Sequence, residues 1–372
     1  MAERKIKVAV IGAKGFPARG GAARSNEEIY RRLIDKCDVT VYAMSTHAHQ
    51  KDYHGIKQII IKVPKHHWVF VAWYLFSSAI HALFFGKYDV VHVNHLQAGY
   101  IVPVLRIRYA VVLNAHGVLI DKEFKDEKWN PFQNYLFKHS IAMGLRTSSI
   151  VVTVSKSGVD VLRPDTKEVV YIPNGVSMQK GCSSTSLDIN GKKVDIVFAA
   201  ARIIPLKGLH DLLEGLRRIE YRGRIRIIGD LSHIGTYQDR IMSISQQLNT
   251  EFLGLIIDRD TLFKYIKEGF FFVFPSHCEG MSNMLLEVAS LKVPIIASNI
   301  VQNTDVFDDT EVLYFNTGDV ADLSDKILWA LNNYSEMEKK AANAFQKVVN
   351  DYNWDQIANA YYRTLQRVLR SC

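Results

Sequence analysis

The chain has 372 residues, 48% hydrophobic and 23% charged, which is the length of two ordinary domains and the balance of a folded globular protein rather than a disordered one. The formal net charge of +8 invites nucleic acid, but the basic residues are dispersed and no zinc-finger, RNP or basic-zipper pattern appears, so no nucleic-acid partner is expected. Cys37, Cys182, Cys278 and Cys372 form no Cys-x-x-Cys pair, and no histidine spacing resembles a zinc site, so a reducing compartment and no metal are expected.

The first residues run from a charged start straight into an apolar strand, IKVAVIG, without the apolar core of a secretion signal, which predicts a cytoplasmic protein. A glycine-rich loop, GAKGFPARGG, and the helical pattern SNEEIYRRLI follow. The apolar β-branched runs DVTVYAM, KQIIIKV, DVVHVNH, AVVLNAH and SIVVTVS then recur, with helices expected over 68–85, 97–107 and 129–146, until YIPNG closes the first half at 175. The run Trp68–Phe85 approaches the ~20 residues of a membrane span, but Ser77, Ser78 and His81 interrupt it. It reads either as a helix whose Trp68, Phe70, Trp73 and Phe76 pack on the N-terminal sheet or as one that also touches an anionic membrane through Lys65, His66, His67 and Lys87.

Residues 178–193 lose periodicity and read as a linker. A second set of strands and helices runs from VDIVFAA through LHDLLEGLRRI, RIRIIGD, YQDRIMSISQQL, EFLGLI, FFFVFPS, SNMLLEVASL and VPIIAS, and three amphipathic helices end the chain. Strands alternating with helices predict an α/β fold of two Rossmann-like, doubly wound parallel-sheet domains, 1–177 and 194–354.

Ligands of such sheets bind beyond the carboxyl ends of the strands, so the loops there are the candidate sites. Gly20 and Gly21 end a loop whose backbone can approach a phosphate or sugar. Its GxxG spacing, and Tyr42-Ala43-Met44 where a dinucleotide fold carries an acidic residue, disfavour a nicotinamide enzyme. Arg202 and Lys207 in ARIIPLKG stand between a strand and a helix, where a diphosphate is their natural partner. In PSHCEGMSNMLLE, Glu279 precedes a helix and Glu287 lies inside it, so the two suit different parts of one ligand, with the amides of Ser282, Asn283 and Met284 at the helix start.

These motifs together resemble the retaining glycosyltransferases of family 4, which have the GT-B fold, with the two domains facing a central cleft. EGMSNMLLE matches the family's E-x7-E, ARIIPLKG its R-x4-K-G turn, VVYIPNGV the end of its first domain and FPARGG its glycine loop. The resemblance implies a UDP- or GDP-sugar donor, Glu287 on the ribose hydroxyls, Arg202 and Lys207 on the diphosphate, and Glu279 on the transferred sugar. It implies His116, in the NAHG turn, beside the reacting centre, where a buried structural histidine is the alternative. It also implies a last helix, 355–372, that returns to the N-terminal domain. The acid usual after the double glycine is absent, since Ala22-Ala23-Arg24-Ser25 follows. The expected protein is a metal-independent hexosyltransferase acting on a glycan or lipid-linked acceptor in envelope or exopolysaccharide assembly. An epimerase or phosphorylase of the same fold, and a catalytically silent sugar-nucleotide-binding subunit, are the rivals.

Overall fold

The computed structural model describes residues 4–18, 20–64, 67–117, 131–178, 195–232, 234–281 and 283–370. They form two compact units, Met1–Gly175 with Trp354–Cys372, and Val176–Asn353. The run 178–193 lies almost wholly outside the described residues, and the units divide at 175/176.

In the first unit the apolar runs become β1 (Ile6–Ile11), β2 (Cys37–Met44), β3 (Asp52–Tyr53), β4 (Ile56–Ile61), β5 (Val90–Val93), β6 (Ala110–Ala115), β7 (Ile150–Thr153) and β8 (Val169–Tyr171). They lie in the order β3-β4-β2-β1-β5-β6-β7-β8, all parallel except the two-residue β3, which runs antiparallel to β4. Successive side chains of a strand point to opposite faces, and here both faces are covered. Val8, Val10, Val39, Val41, Val90 and Val112 pack with Ile29 and Tyr30 of helix Gly21–Arg32 and with Trp354, Ile357, Tyr361 and Leu365 of helix Trp354–Arg370. Ala9, Ile11, Tyr42, Met44, Val91 and Val93 pack instead with Tyr74, Leu75, Ala79 and Ala82 of helix His67–Phe85.

That last helix corrects one expectation. Tyr74, Leu75, Ser78, Ala79 and Ala82 form its buried face. At 100° per residue Trp73, Phe76 and Phe84 fall on the opposite side, and they are exposed by 51%, 48% and 67%. Trp73 and Phe76 therefore do not pack into the core, while Trp68 falls among side chains left undescribed. Among the described residues no helix is long and apolar enough to cross a membrane. The helix expected at 97–107 is a 3-10 turn, Leu96–Ile101, that passes into a short α-helix, Val102–Arg106, with Pro103 near its start.

The second unit holds β9 (Asp195–Arg202), β10 (Arg224–Asp230), β11 (Asn249–Gly254), β12 (Phe271–Phe274), β13 (Ile295–Ser298) and β14 (Leu313–Phe315), ordered β11-β10-β9-β12-β13-β14 and parallel throughout. The three-residue β14 is too short to register as a periodic run. Ile196 and Phe198 pack with Leu209, Leu212, Leu213 and Leu216 of helix Leu209–Arg218 and with Leu323 and Ile327 of helix Val320–Asn332. Helix Asn283–Ser290 buries Leu285, Leu286 and Val288.

Candidate active site

In the first unit, β1 ends in a loop with left-handed backbone at Gly12 (φ 100°) and Gly15 (φ 123°). A side chain at Gly15 would put its Cβ 2.8 Å from that of Ala48, so the tight turn needs glycine on two counts. The loop is braced by side chains rather than left to itself. The amides of Gly12 and Lys14 donate to the Tyr74 hydroxyl at 3.0 and 3.3 Å. Gln58 accepts from the Phe16 amide at 2.8 Å and donates to the Phe16 carbonyl at 2.9 Å. Glu27 accepts from the Ala18 amide at 2.7 Å and from the Tyr53 hydroxyl at 2.8 Å. Gly20 then stands at the N-terminus of helix Gly21–Arg32 with no side-chain cap and open space where a Cβ would be.

His116 follows β6, and its Nε2 lies 2.7 Å from Oδ1 of Asn94, which follows β5. Asn26 of the first helix donates to the same oxygen. That oxygen can only accept, so Nε2 carries the hydrogen and a neutral His116 keeps Nδ1 as an acceptor. His95 is its neighbour, with ring centroids 5.6 Å apart. Three residues before His95, within β5, the Nδ1 of buried His92 is 2.8 Å from the Tyr30 hydroxyl. Burial pushes His92 down to about 3, aided by the charge of His95. Burial, then Lys14, pushes His95 down to about 4. Burial, then His95 and His92, holds His116 well below its ordinary value. All three imidazoles are neutral at physiological pH.

In the second unit, β9 and its neighbour β12 deliver their following loops side by side. The chain leaves β9 at the exposed Arg202, makes a 3-10 turn, Pro205–Lys207, and enters helix Leu209–Arg218 through Gly208. Gly208 is left-handed (φ 68°), and a Cβ there would sit 2.0 Å from the Pro275 carbonyl oxygen. Only glycine allows this approach. The Lys207 ammonium reaches Glu279 Oε1 at 2.6 Å, and the Ser276 hydroxyl donates to that oxygen at 2.8 Å. Glu287, buried in helix Asn283–Ser290, pairs with Arg259, whose guanidinium lies 4.6 Å from the Phe263 ring centroid.

The structure thus joins Lys207 to Glu279 directly, where the motifs alone give them separate parts of a ligand. Asn283 and Met284 stand at the start of the helix, while Ser282 lies outside the described residues. Sequence reasoning did not single out Asn94, Glu27 or Arg259. Asn94 could have been found in NHLQAG, one of the loops at the carboxyl ends of the strands, whereas Arg259 opens an unremarkable helix, Arg259–Lys267, and carries no signal.

Residues 193–333 match the family described as glycosyl transferases group 1, and residues 19–180 match glycosyltransferase family 4. A capsular polysaccharide biosynthesis glycosyltransferase of Staphylococcus aureus, CapM, is 22% identical over 250 residues, 62% of this chain and 65% of that protein. The chain thus spans a little under two thirds of that relative's length. The fold is similar to that of sucrose-phosphate synthase from Thermosynechococcus elongatus, at a TM-score of 0.82 and 19% identity over 99% of this chain and 100% of that one. It is also similar to Anabaena HepE in complex with UDP-glucose, at a TM-score of 0.75 and 16% identity over 97% and 100% of the two chains. Two α/β units, each on its own parallel or mostly parallel sheet, with neighbours of this kind, make the fold GT-B.

Proposed function

Given that this chain belongs to the group 1, family 4 glycosyltransferases, we propose that it moves a hexosyl group from a UDP- or GDP-sugar to a glycan or lipid-linked acceptor, with retention of configuration, in envelope or exopolysaccharide assembly. The observation that carries this reading is the Lys207–Glu279–Ser276 contact at the adjoining ends of β9 and β12, with the buried Glu287 eight residues on. Arg202 and Lys207 take the diphosphate oxygens, Glu287 the ribose hydroxyls in competition with Arg259, and Glu279 the sugar hydroxyls. The amides of Ser282, Asn283 and Met284 add helix-terminal donors. The two cations replace a divalent metal as the charge that stabilises the departing diphosphate. The acceptor oxygen bonds to the anomeric carbon on the face from which the phosphate oxygen leaves, and the acceptor proton passes to that oxygen. Gly20, Gly21 and the neutral His116 serve the first unit's share of the reaction. The solved complex of the Anabaena protein with UDP-glucose supports a UDP-sugar as donor.

Calorimetric titration with UDP, GDP and their glucosyl and mannosyl derivatives tests this reading. One nucleotide family should bind, and Glu287→Gln should abolish most of that binding. A chain that binds none of them, or a variant that binds as the wild type does, overturns it. Turnover that needs inorganic phosphate rather than an acceptor would identify a phosphorylase, and interconversion of the free donor an epimerase. Nucleotide-sugar binding with no turnover would identify a silent subunit.

The exposed Trp73, Phe76, Phe84, Phe85 and Ile107, with Lys87 and Arg108 nearby in the chain, favour a peripheral site on the inner face of the membrane, where a lipid-linked acceptor resides. Sedimentation with anionic vesicles should occur at low salt and fade as salt rises. Wild-type protein that stays in the supernatant at low salt refutes it.

A further inference from the structure

Beside the proposed donor contacts, and using none of them, three side chains converge at the adjoining ends of β9 and β12. His210 and Asp211 lie in the first turn of helix Leu209–Arg218, and His277 lies in the loop after β12. His277 Nε2 is 2.5 Å from Asp211 Oδ2, and His210 Nε2 is 3.3 Å from Asp211 Oδ1. One ligand atom from each of the three lies within 4.8 Å of the others. The His210 and His277 ring centroids are 5.7 Å apart, so each imidazole addresses its own oxygen of one carboxylate.

We propose that His210, Asp211 and His277 bind a borderline divalent metal ion, zinc foremost, which clamps the loop after β12 to the start of helix Leu209–Arg218. Two imidazole nitrogens and one carboxylate oxygen are the ligand set of zinc and its neighbours, whereas magnesium and calcium prefer oxygen alone. Metal–ligand bonds of about 2.0–2.1 Å place tetrahedral ligands roughly 3.3 Å apart, so small side-chain rotations collect the three atoms around one ion. The backbone beneath is already fixed. Gly208 is pressed against Pro275, and the His277 amide donates to the Leu206 carbonyl at 2.8 Å. His210 is oriented by its other nitrogen, with Nδ1 3.0 Å from the Tyr237 hydroxyl, the outer contact that ligating histidines ordinarily make. Burial lowers the pKa of His210 and favours the neutral, ligating form. The side chain of His277 is 32% exposed, which leaves a path for the ion and room for water to complete its coordination. The nearby cation Arg240 is itself paired with Glu214 at 2.8 Å.

The competing occupant is a proton on His277, which would make an ordinary ion pair with Asp211 and need no second imidazole. The full chain, stripped with chelator, is titrated with cobalt(II) and then with zinc. We expect one equivalent of cobalt to develop visible absorption, zinc to displace it, and the thermal midpoint to rise with zinc but not with magnesium. His210→Gln and His277→Gln should each weaken cobalt binding roughly tenfold or more, the scale on which even outer contacts act. His277→Asp separates the two occupants: it retains cobalt if a metal is held, whereas a proton-only site would set two carboxylates against each other with no rescue by metal. Absence of cobalt absorption in the folded wild type overturns the proposal. So does binding unaltered in both glutamine variants, which would place the ion among the other eleven of the thirteen histidines.

Discussion

Acidification should destabilise the first unit steeply, because it holds three imidazoles, the buried His92 and the half-buried His95 and His116, in neutral form. His92 is pushed down to about 3 and His95 to about 4, and His116 is held well below its ordinary value. In the unfolded chain each titrates near ~6.5, so below that pH the unfolded state binds more protons than the folded one. The stability is therefore fully present above about pH 6.5 and is lost as pH falls toward the folded values. Each histidine removes at most about 1.4 kcal/mol per pH unit in that window, and three together about 4 kcal/mol per unit. A loss of that size rivals the whole stability of a domain, roughly 5–15 kcal/mol. Urea unfolding followed by tryptophan fluorescence reads it, since four of the five tryptophans (Trp68, Trp73, Trp129 and Trp354) belong to this unit. His95→Gln should reduce the pH slope by about a third, one proton in three. A variant slope equal to that of the wild type, or imidazole resonances that titrate at the ordinary value in the folded protein, would refute the reasoning.

The donor contacts predict unequal costs for similar substitutions. Arg202 is exposed, so Arg202→Ala should weaken nucleotide diphosphate binding about tenfold and leave the thermal midpoint unchanged. Lys207→Ala should do both kinds of damage, because Glu279, with its side chain 10% exposed, loses the cation it touches; an unmoved midpoint would contradict the pairing. Glu287→Gln should weaken free nucleotide and nucleotide-sugar alike, whereas Glu279→Gln should chiefly impair the sugar-bearing donor, and equal effects on bare nucleotide would sink that division. Gly208→Ala should destabilise by more than the ~1–2 kcal/mol of a left-handed residue, since the added carbon also meets the Pro275 carbonyl, and a normal melting curve would refute it.

The alternation of strand and helix was legible because parallel strands covered on both faces are continuous apolar runs, as IKVAVI and FFVF are. The positions of Arg202, Lys207, Glu279 and Glu287 were legible for a similar reason, since strand ends carry the ligand loops. What those groups touch was not. Lys207 and Glu279 lie 72 residues apart, and only the adjacency of β9 and β12 brings them together. The exposure of Trp73 and Phe76 was hidden because helix His67–Phe85 is apolar on both sides, which leaves periodicity nothing to report. The histidines around His116 were invisible as a group, because two strand ends, those of β5 and β6, bring Asn94, His95 and His116 to one locality only after the sheet forms.

The helix Trp354–Arg370 closes the first unit, although the whole of the second unit lies between them in the chain. A ribosome adding roughly 5–20 residues per second needs about 10–35 s to make the 178 residues from Val176 to Asn353. For that interval the valine face of β1, β2, β5 and β6 waits without Trp354, Ile357, Tyr361 and Leu365, each of which contributes about 1.5–3 kcal/mol once buried. The inserted unit is thus complete before the one that begins the chain. Until then the first unit presents apolar surface of the kind that aggregates from incomplete chains, and a stop codon before Trp354 leaves that face of its core uncovered.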